Sequence, residues 1–179
     1  MSALARVNVG LSATWTFYED DWREGDVRIM GPRTHAAWLG SMVFDGARAF
    51  EGVMPDLDRH CARVNRSAQT FFLKPMVTTE TWMRLAAEGV KRFAPGAALY
   101  IRPMYWAESG PAGGIRHDPE STRWCLCIYE APLPVPPEAL TLLEGQGMAL
   151  LAREELDAYR VVPLHREILE HFFRARGPR

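Results

Sequence analysis

Two arginines sit where arginine is least comfortable. Arg48 and Arg102 fall inside stretches that read as strands, Val43–Phe50 and Leu99–Trp106, among apolar and aromatic neighbours. An unpaired charge is costly to bury, so a guanidinium in such a place calls for an anionic partner. Its planar fork suits a carboxylate or phosphate that arrives as a ligand. A second group, Arg59, Arg63 and Arg66, recurs at i, i+4 and i+7 and so shares one helical face. On its own, that row reads as a solvated surface. Amines are scarce: of 21 basic residues only Lys74 and Lys91 are lysine. Any reaction that needs an amine nucleophile has two candidates. The remaining chemistry-bearing types form no known device. Cys125 and Cys127 supply at most two metal ligands, with no histidine pair at zinc-like spacing, and read as core packing. The five histidines make no His-Glu-x-x-His pattern, and no Gly-x-Ser-x-Gly elbow occurs. The glycine-rich run Gly110–Gly114 fits neither a dinucleotide fingerprint nor a phosphate loop.

The elements that must carry these residues follow from periodicity. Residues 13–18 and the two longer runs Leu99–Trp106 and Arg123–Glu130 alternate as strands or are apolar on both faces. Val43–Phe50 has Phe44, Gly46, Arg48 and Phe50 on one face, and a glycine inside a strand marks close approach of a ligand or another backbone. Glu19–Asp26 reads as an acidic turn. A helix is expected from Asp56 or Asp58 to about Phe72, with Leu57, Cys61, Val64, Ala68 and Phe71 as its apolar stripe. Another opens at Thr78 or Thr79, carries Trp82, Leu85, Ala86, Gly89, Val90 and Phe93 as its apolar residues, and stops at Pro95-Gly96. Strands, two helices, then strands make an α+β layer. The prolines at 132, 134, 136 and 137 read as a linker, which gives a first domain over residues 1–137 and a helical tail over 138–179. In the tail, Met148–Tyr159 and Leu164–Phe173 have helical patterns.

The chain has 179 residues, 47% of them hydrophobic and 24% charged, with a net charge of −1. That is ordinary for one globular domain and a fraction. It offers no basic field for nucleic acid or anionic membrane, and no apolar run of membrane-spanning length. With no secretory core after Met1, the expectation is a cytoplasmic chain.

Three segments in order, Val43-Phe44-Asp45-Gly46-Ala47-Arg48-Ala49-Phe50, His60-Cys61-Ala62-Arg63-Val64-Asn65-Arg66-Ser67-Ala68 and Tyr100-Ile101-Arg102-Pro103, resemble the N-terminal signatures of branched-chain amino acid aminotransferases. These are class IV, fold-type IV enzymes that use pyridoxal 5′-phosphate (PLP). Their pattern runs Phe-Glu/Asp-Gly-x-Arg, His-x-x-Arg-x-x-x-Ser-Ala, Tyr-Ile-Arg-Pro. The resemblance spans residues 13 to 135 or so. It implies the small N-terminal domain of that fold, an antiparallel-rich sheet with two helices. It also implies roles: Arg63 for the cofactor phosphate, Arg102 near the substrate carboxylate with Tyr100 beside it, Phe44 as an aromatic wall, Arg48 as a further lining arginine. Arg63 is expected on the exposed side of its helix, facing a concave surface shared with Arg48 or Arg102. Leu39 stands where many members have a tyrosine.

The implied activity is transamination of leucine, isoleucine and valine with 2-oxoglutarate. In the family a C-terminal domain brings the lysine that holds the cofactor covalently, a glutamate for the pyridine nitrogen and more phosphate ligands. Here no lysine follows Lys91, and neither lysine matches the family position. The sequence therefore reads as a truncated member without the catalytic lysine and with weak or absent PLP binding. Three readings stay open: a chain inactive alone, one part of a split enzyme that needs a partner chain or large domain, and a non-catalytic binding module. The partners implied are branched-chain amino acids, 2-oxo acids and a second copy of the chain or a large domain, with no metal.

Overall fold

The computed structural model describes residues 11–111, 114–131, 153–159, 161 and 163–176. The chain divides into two compact units, Met1–Pro132 and Leu133–Arg179. The proline stretch in which a boundary at residue 137 was expected lies outside the described residues.

The first unit is an α+β domain built on one antiparallel sheet, as expected. Its strands are β1 (Thr14–Tyr18), β2 (Asp21–Glu24), β3 (Met42–Phe44), β4 (Ala47–Ala49), β5 (Leu99–Ala107) and β6 (Thr122–Glu130). They run in the order β2-β1-β6-β5-β3, with β4 also on β5. Its helices are α1 (His35–Leu39), α2 (Leu57–Thr70) and α3 (Thr79–Val90). The central pair β5–β6 is in register along its whole length, from Leu99 opposite Glu130 to Ala107 opposite Thr122.

Strand β2 corrects the reading of Glu19–Asp26 as a turn. Only Glu19 and Asp20 turn, both in the left-handed region at φ 52° and 59°, the twist that a two-residue hairpin needs. The chain then pairs back on β1, Tyr18 opposite Asp21 and Phe17 opposite Trp22. Trp22 is buried and meets Phe17 edge-on at 5.3 Å. Its acidic neighbours hide the strand from any hydropathy pattern.

The segment expected as one strand over Val43–Phe50 appears as β3 and β4, yet its register on β5 is unbroken. Phe44 faces Met104 and Ala47 faces Ile101. The interruption falls opposite Pro103, which has no N–H to give the ladder. Asp45 still donates its own N–H to the Pro103 carbonyl at 3.1 Å.

Helices α2 and α3 cover one face of this sheet. Leu57, Cys61, Val64 and Ala68 of α2, with Trp82, Leu85, Ala86 and Gly89 of α3, bury against Ile101, Tyr105, Leu126 and Ile128. Asn65 is their polar hub. Its Oδ1 accepts from Trp82 Nε1 at 3.1 Å and from the Tyr105 hydroxyl at 3.0 Å, while its Nδ2 donates to the Val77 carbonyl at 2.9 Å. Thr78 caps α3 by accepting from the Thr81 N–H. Asp56 precedes α2 but makes no side-chain cap; in its left-handed conformation it reaches Arg59 at 3.6 Å instead. Phe71 leaves the expected apolar stripe. The helix has ended at Thr70, and the exposed ring stacks on His117.

In the second unit, Arg153–Ala158 forms a 3₁₀ turn and Pro163–Arg176 forms helix α4. The expected helix over Met148–Tyr159 is thus a 3₁₀ turn where it is described, and its opening residues lie outside the described ones. Arg166 joins the two elements through Asp157 at 2.6 Å and the Leu156 carbonyl at 2.9 Å. No helix among the described residues is long and apolar enough to cross a membrane.

Candidate functional site

Strand β5 sorts its side chains by parity. Leu99, Ile101, Tyr105 and Ala107 enter the core under α2 and α3. Tyr100, Arg102, Met104 and Trp106 take the other face, because alternate residues of a strand point to opposite sides. Register then decides their company. Arg48 lies opposite Tyr100, Phe44 opposite Met104, and on β6 Cys127 lies opposite Arg102 and Tyr129 opposite Tyr100. Phe44, Arg48, Tyr100 and Arg102 therefore share one face. At one end of this face Met104, Trp106 and Cys125 are buried beneath Ile29, Met30, Ala36 and Met42. At the other, around Tyr100 and Arg102, it opens.

Arg102 is the centre of the open end. Its guanidinium lies over the Phe44 ring at 4.0 Å, within cation–π range, and its buried Nε has no hydrogen-bond partner among the described residues. Two adjoining hollows of about 480 and about 330 Å³ share Arg102, Asp26 and Cys127 in their walls. Thr14 and Tyr129 line the larger and Met42 and Met104 the smaller. Burial pushes the Cys127 and Cys125 thiols up from their ordinary values, so both are neutral wall atoms, not nucleophiles.

Arg48 is more occupied. Its Nη2 donates to the Ala131 carbonyl at 2.8 Å and its guanidinium covers Phe50 at 5.4 Å. Tyr100 packs against Tyr129 at 5.2 Å. Its hydroxyl lies where a side chain at Gly46 would be, since a Cβ there would overlap it. The close approach expected at this strand glycine is thus made by a neighbouring side chain.

Arg63 lies apart from that group. It projects from α2, and α2 packs on the opposite face of the sheet. Its Nε donates to Asp45 Oδ2 at 2.6 Å and its Nη2 to Oδ1 at 2.7 Å, a bidentate pair. His60 Nδ1 also meets Oδ1 at 2.7 Å, and the Gly46 N–H donates to the same oxygen at 2.8 Å. The Asp45 side chain is 5% exposed and that of Arg63 54%. Burial pushes the Asp45 carboxyl up, but hydrogen bonds from Arg63 and His60 outweigh it and hold the group below its ordinary value. Arg63 is exposed, yet it lines neither of the hollows at Arg102.

Sequence reasoning passed over Asp45 and His60 as actors, and Asp26 and Tyr129 as walls. A signal existed for the first pair. Asp45 alternates with Phe44 and Gly46 and so faces the helices, and His60 and Arg63 at i, i+3 share a helical face. The lysines lie elsewhere: Lys74 Nζ bonds Glu120 at 2.6 Å, and the exposed Lys91 stands at the C-cap of α3.

The family model described as amino-transferase class IV matches residues 42–165, running past Pro137 into the tail. The chain is 31% identical over 141 residues to the branched-chain amino acid aminotransferase gloG of Glarea lozoyensis, covering 70% of this chain and 36% of that protein. The crystal structure of an aminotransferase from Brucella abortus bound to PLP is similar at 53% identity and a TM-score of 0.66, over 70% of this chain and 45% of that one. The branched-chain amino acid aminotransferase of Escherichia coli shares the fold, with a TM-score of 0.58 at 18% identity over 73% of this chain and 43% of that one. The chain thus spans less than half the length of each.

Proposed function

The chain belongs to the class IV aminotransferases, and from that premise we propose that its first unit provides the substrate-facing and phosphate-facing groups of a PLP-dependent branched-chain amino acid aminotransferase, with 2-oxoglutarate as the amino acceptor. The observation that carries this reading is Arg102. A guanidinium fixed over an aromatic ring, with a buried and unpartnered Nε beside a hollow, is built for an anion that arrives from outside.

In this reading Arg102 takes the substrate carboxylate and Tyr100 stands beside it. Phe44 serves as the apolar wall for the branched side chain, and Arg48, tied to Ala131, borders the site. Arg63 takes the cofactor phosphate. The residues fit that group: Asp45 occupies the Nε and Nη2 side of the fork, while Nη1 has no partner among the described residues and the side chain is half exposed. When bound, PLP supplies the electron sink for negative charge at the substrate Cα. This chain's contribution is a guanidinium fork for each anion and an apolar wall of Phe44, Met42 and Met104 beside Arg102.

The test uses 4-methyl-2-oxopentanoate, the 2-oxo acid of leucine, titrated by calorimetry with PLP present. Arg102→Ala should abolish its binding, while Arg48→Ala should weaken it less. Equal binding by wild type and Arg102→Ala would remove the carboxylate assignment.

A second reading, a module that binds without turnover, is favoured by the placement of the two lysines, neither of which lines the hollows at Arg102. Covalent attachment needs a lysine amine held at the cofactor, so this reading expects weak, reversible PLP binding without a site-specific adduct on Lys74 or Lys91. Borohydride reduction with PLP followed by mass mapping decides. A single stoichiometric adduct on Lys74 or Lys91, with turnover of leucine or valine, would overturn the second reading.

A further inference from the structure

Asp45 carries more bonds than its place between β3 and β4 requires. Its carboxylate receives the Nε–H and an Nη2–H of Arg63, the Gly46 N–H and a contact from His60 Nδ1. The 2.7 Å approach of Nδ1 to an anion places the ring proton on Nδ1, donating to Oδ1. Four donors, three from α2 and one from the Gly46 backbone between β3 and β4, thereby fix the carboxylate plane. The neighbours of Asp45 in the chain face the other way: Phe44 supports Arg102, and Gly46 makes room for the Tyr100 hydroxyl. One residue thus joins the two halves of the site, which lie on opposite faces of the sheet.

We infer that Asp45 is the positioning residue for phosphate capture: it clamps one side of the Arg63 fork, so that the guanidinium is already aimed, with Nη1 outward, before the anion arrives. The inference rests on the assignment of Arg63 to the cofactor phosphate. An unclamped arginine on an exposed helix face would have to order several rotatable bonds on binding, and ordering them beforehand removes that cost from the binding step. An asparagine cannot replace the clamp. Its amide nitrogen would turn a donor toward the donors of Arg63 or His60.

The experiment titrates the full chain with pyridoxamine 5′-phosphate and with pyridoxamine, following ligand fluorescence. The ratio of the two affinities isolates the phosphate. Wild type should favour the phosphorylated form and Arg63→Ala should lose that preference. Asp45→Asn should reduce it about tenfold while leaving pyridoxamine affinity unchanged. Asp45→Glu, which keeps two acceptor oxygens, should recover part of the loss. No preference in wild type, or an unchanged preference in Arg63→Ala, would overturn the Arg63 assignment and this inference with it. Loss in Arg63→Ala with less than about a twofold change in Asp45→Asn would overturn the clamp alone.

A measurement on the unmodified chain covers the case in which Asp45→Asn does not fold. The Arg63 Nε–H resonance, assigned by its absence in Arg63→Lys, should be protected from solvent exchange before ligand is added. It should shift with the phosphorylated ligand and not with pyridoxamine. A freely exchanging Nε–H would overturn the clamp.

Discussion

The two faces of strand β5 are made from one run of sequence and solve opposite problems. Toward α2 and α3, polar groups are few and mostly paired: Asn65 satisfies Trp82 and Tyr105, Tyr105 also bonds Val77, and the neutral Trp22 Nε1 is the exception. Away from those helices, the Tyr100–Arg102 end keeps a guanidinium whose Nε has no partner, above hollows that the fold leaves open. The first face is arranged as a core, where an unmade hydrogen bond costs stability. The second breaks that rule at a charged side chain, Arg102, where the cost is greatest. Such local violations mark places that stability alone does not explain.

That contrast fails if the two faces respond alike to substitution. Trp82→Ala should have the largest effect, because it empties a fully buried indole site and removes one of the two donors to Asn65 Oδ1. The expected loss is about 3–5 kcal/mol in urea unfolding. A loss below about 1 kcal/mol would mean that the helix-covered face is not the core.

Gly46→Ala comes next, at about 1–3 kcal/mol, since the new methyl group overlaps the Tyr100 hydroxyl. Most of that cost should vanish in a Tyr100→Ala background, and a double-mutant cycle measures the coupling. Additive effects would show that the glycine serves some other contact.

A smaller effect is expected from pH. The folded carboxyl of Asp45 titrates below its ordinary value, so it adds stability at every pH above the usual carboxylate range of about 4. That contribution is lost as the pH falls from there through the folded value. Unfolding curves between about pH 6 and about pH 3 should therefore fall more steeply for wild type than for Asp45→Asn. Parallel curves would dismiss the Asp45–Arg63–His60 cluster as a contributor to folding.

The smallest change should be Arg102→Met, within about 1 kcal/mol of wild type. It gives up the contact with Phe44 but also removes an unsatisfied buried N–H. A loss above about 3 kcal/mol would make Arg102 a structural residue and erase the distinction between the faces.

What the sequence reveals and what it hides follows the same division. Strands β5 and β6 and helices α2 and α3 are legible because apolar spacing and the Thr78 cap act locally. Helix α1 is not: it has five residues and no side-chain cap, and it is held by the bond from the His35 N–H to the Glu108 carbonyl. Arg48 and Arg102 are visible as charges in apolar strands. Their separation from Arg63 is not, because spacing along the chain does not say which face α2 will cover. For the same reason Asp45 reads as one letter of a signature until the helix lying over it is known.

The borders of the sheet also bear on how the chain meets copies of itself. A strand with one free side is a template for another chain, and proteins blunt it with charge or irregularity. At one border β2 carries Asp21, Arg23 and Glu24, with Arg23 bonded to Glu19 at 2.9 Å. At the other, the ladder breaks between β3 and β4 opposite Pro103, which leaves two short stubs of three residues each. Neither offers a long apolar rail for intermolecular strand addition. The proline that interrupts the ladder at the site thereby also guards the sheet against aggregation.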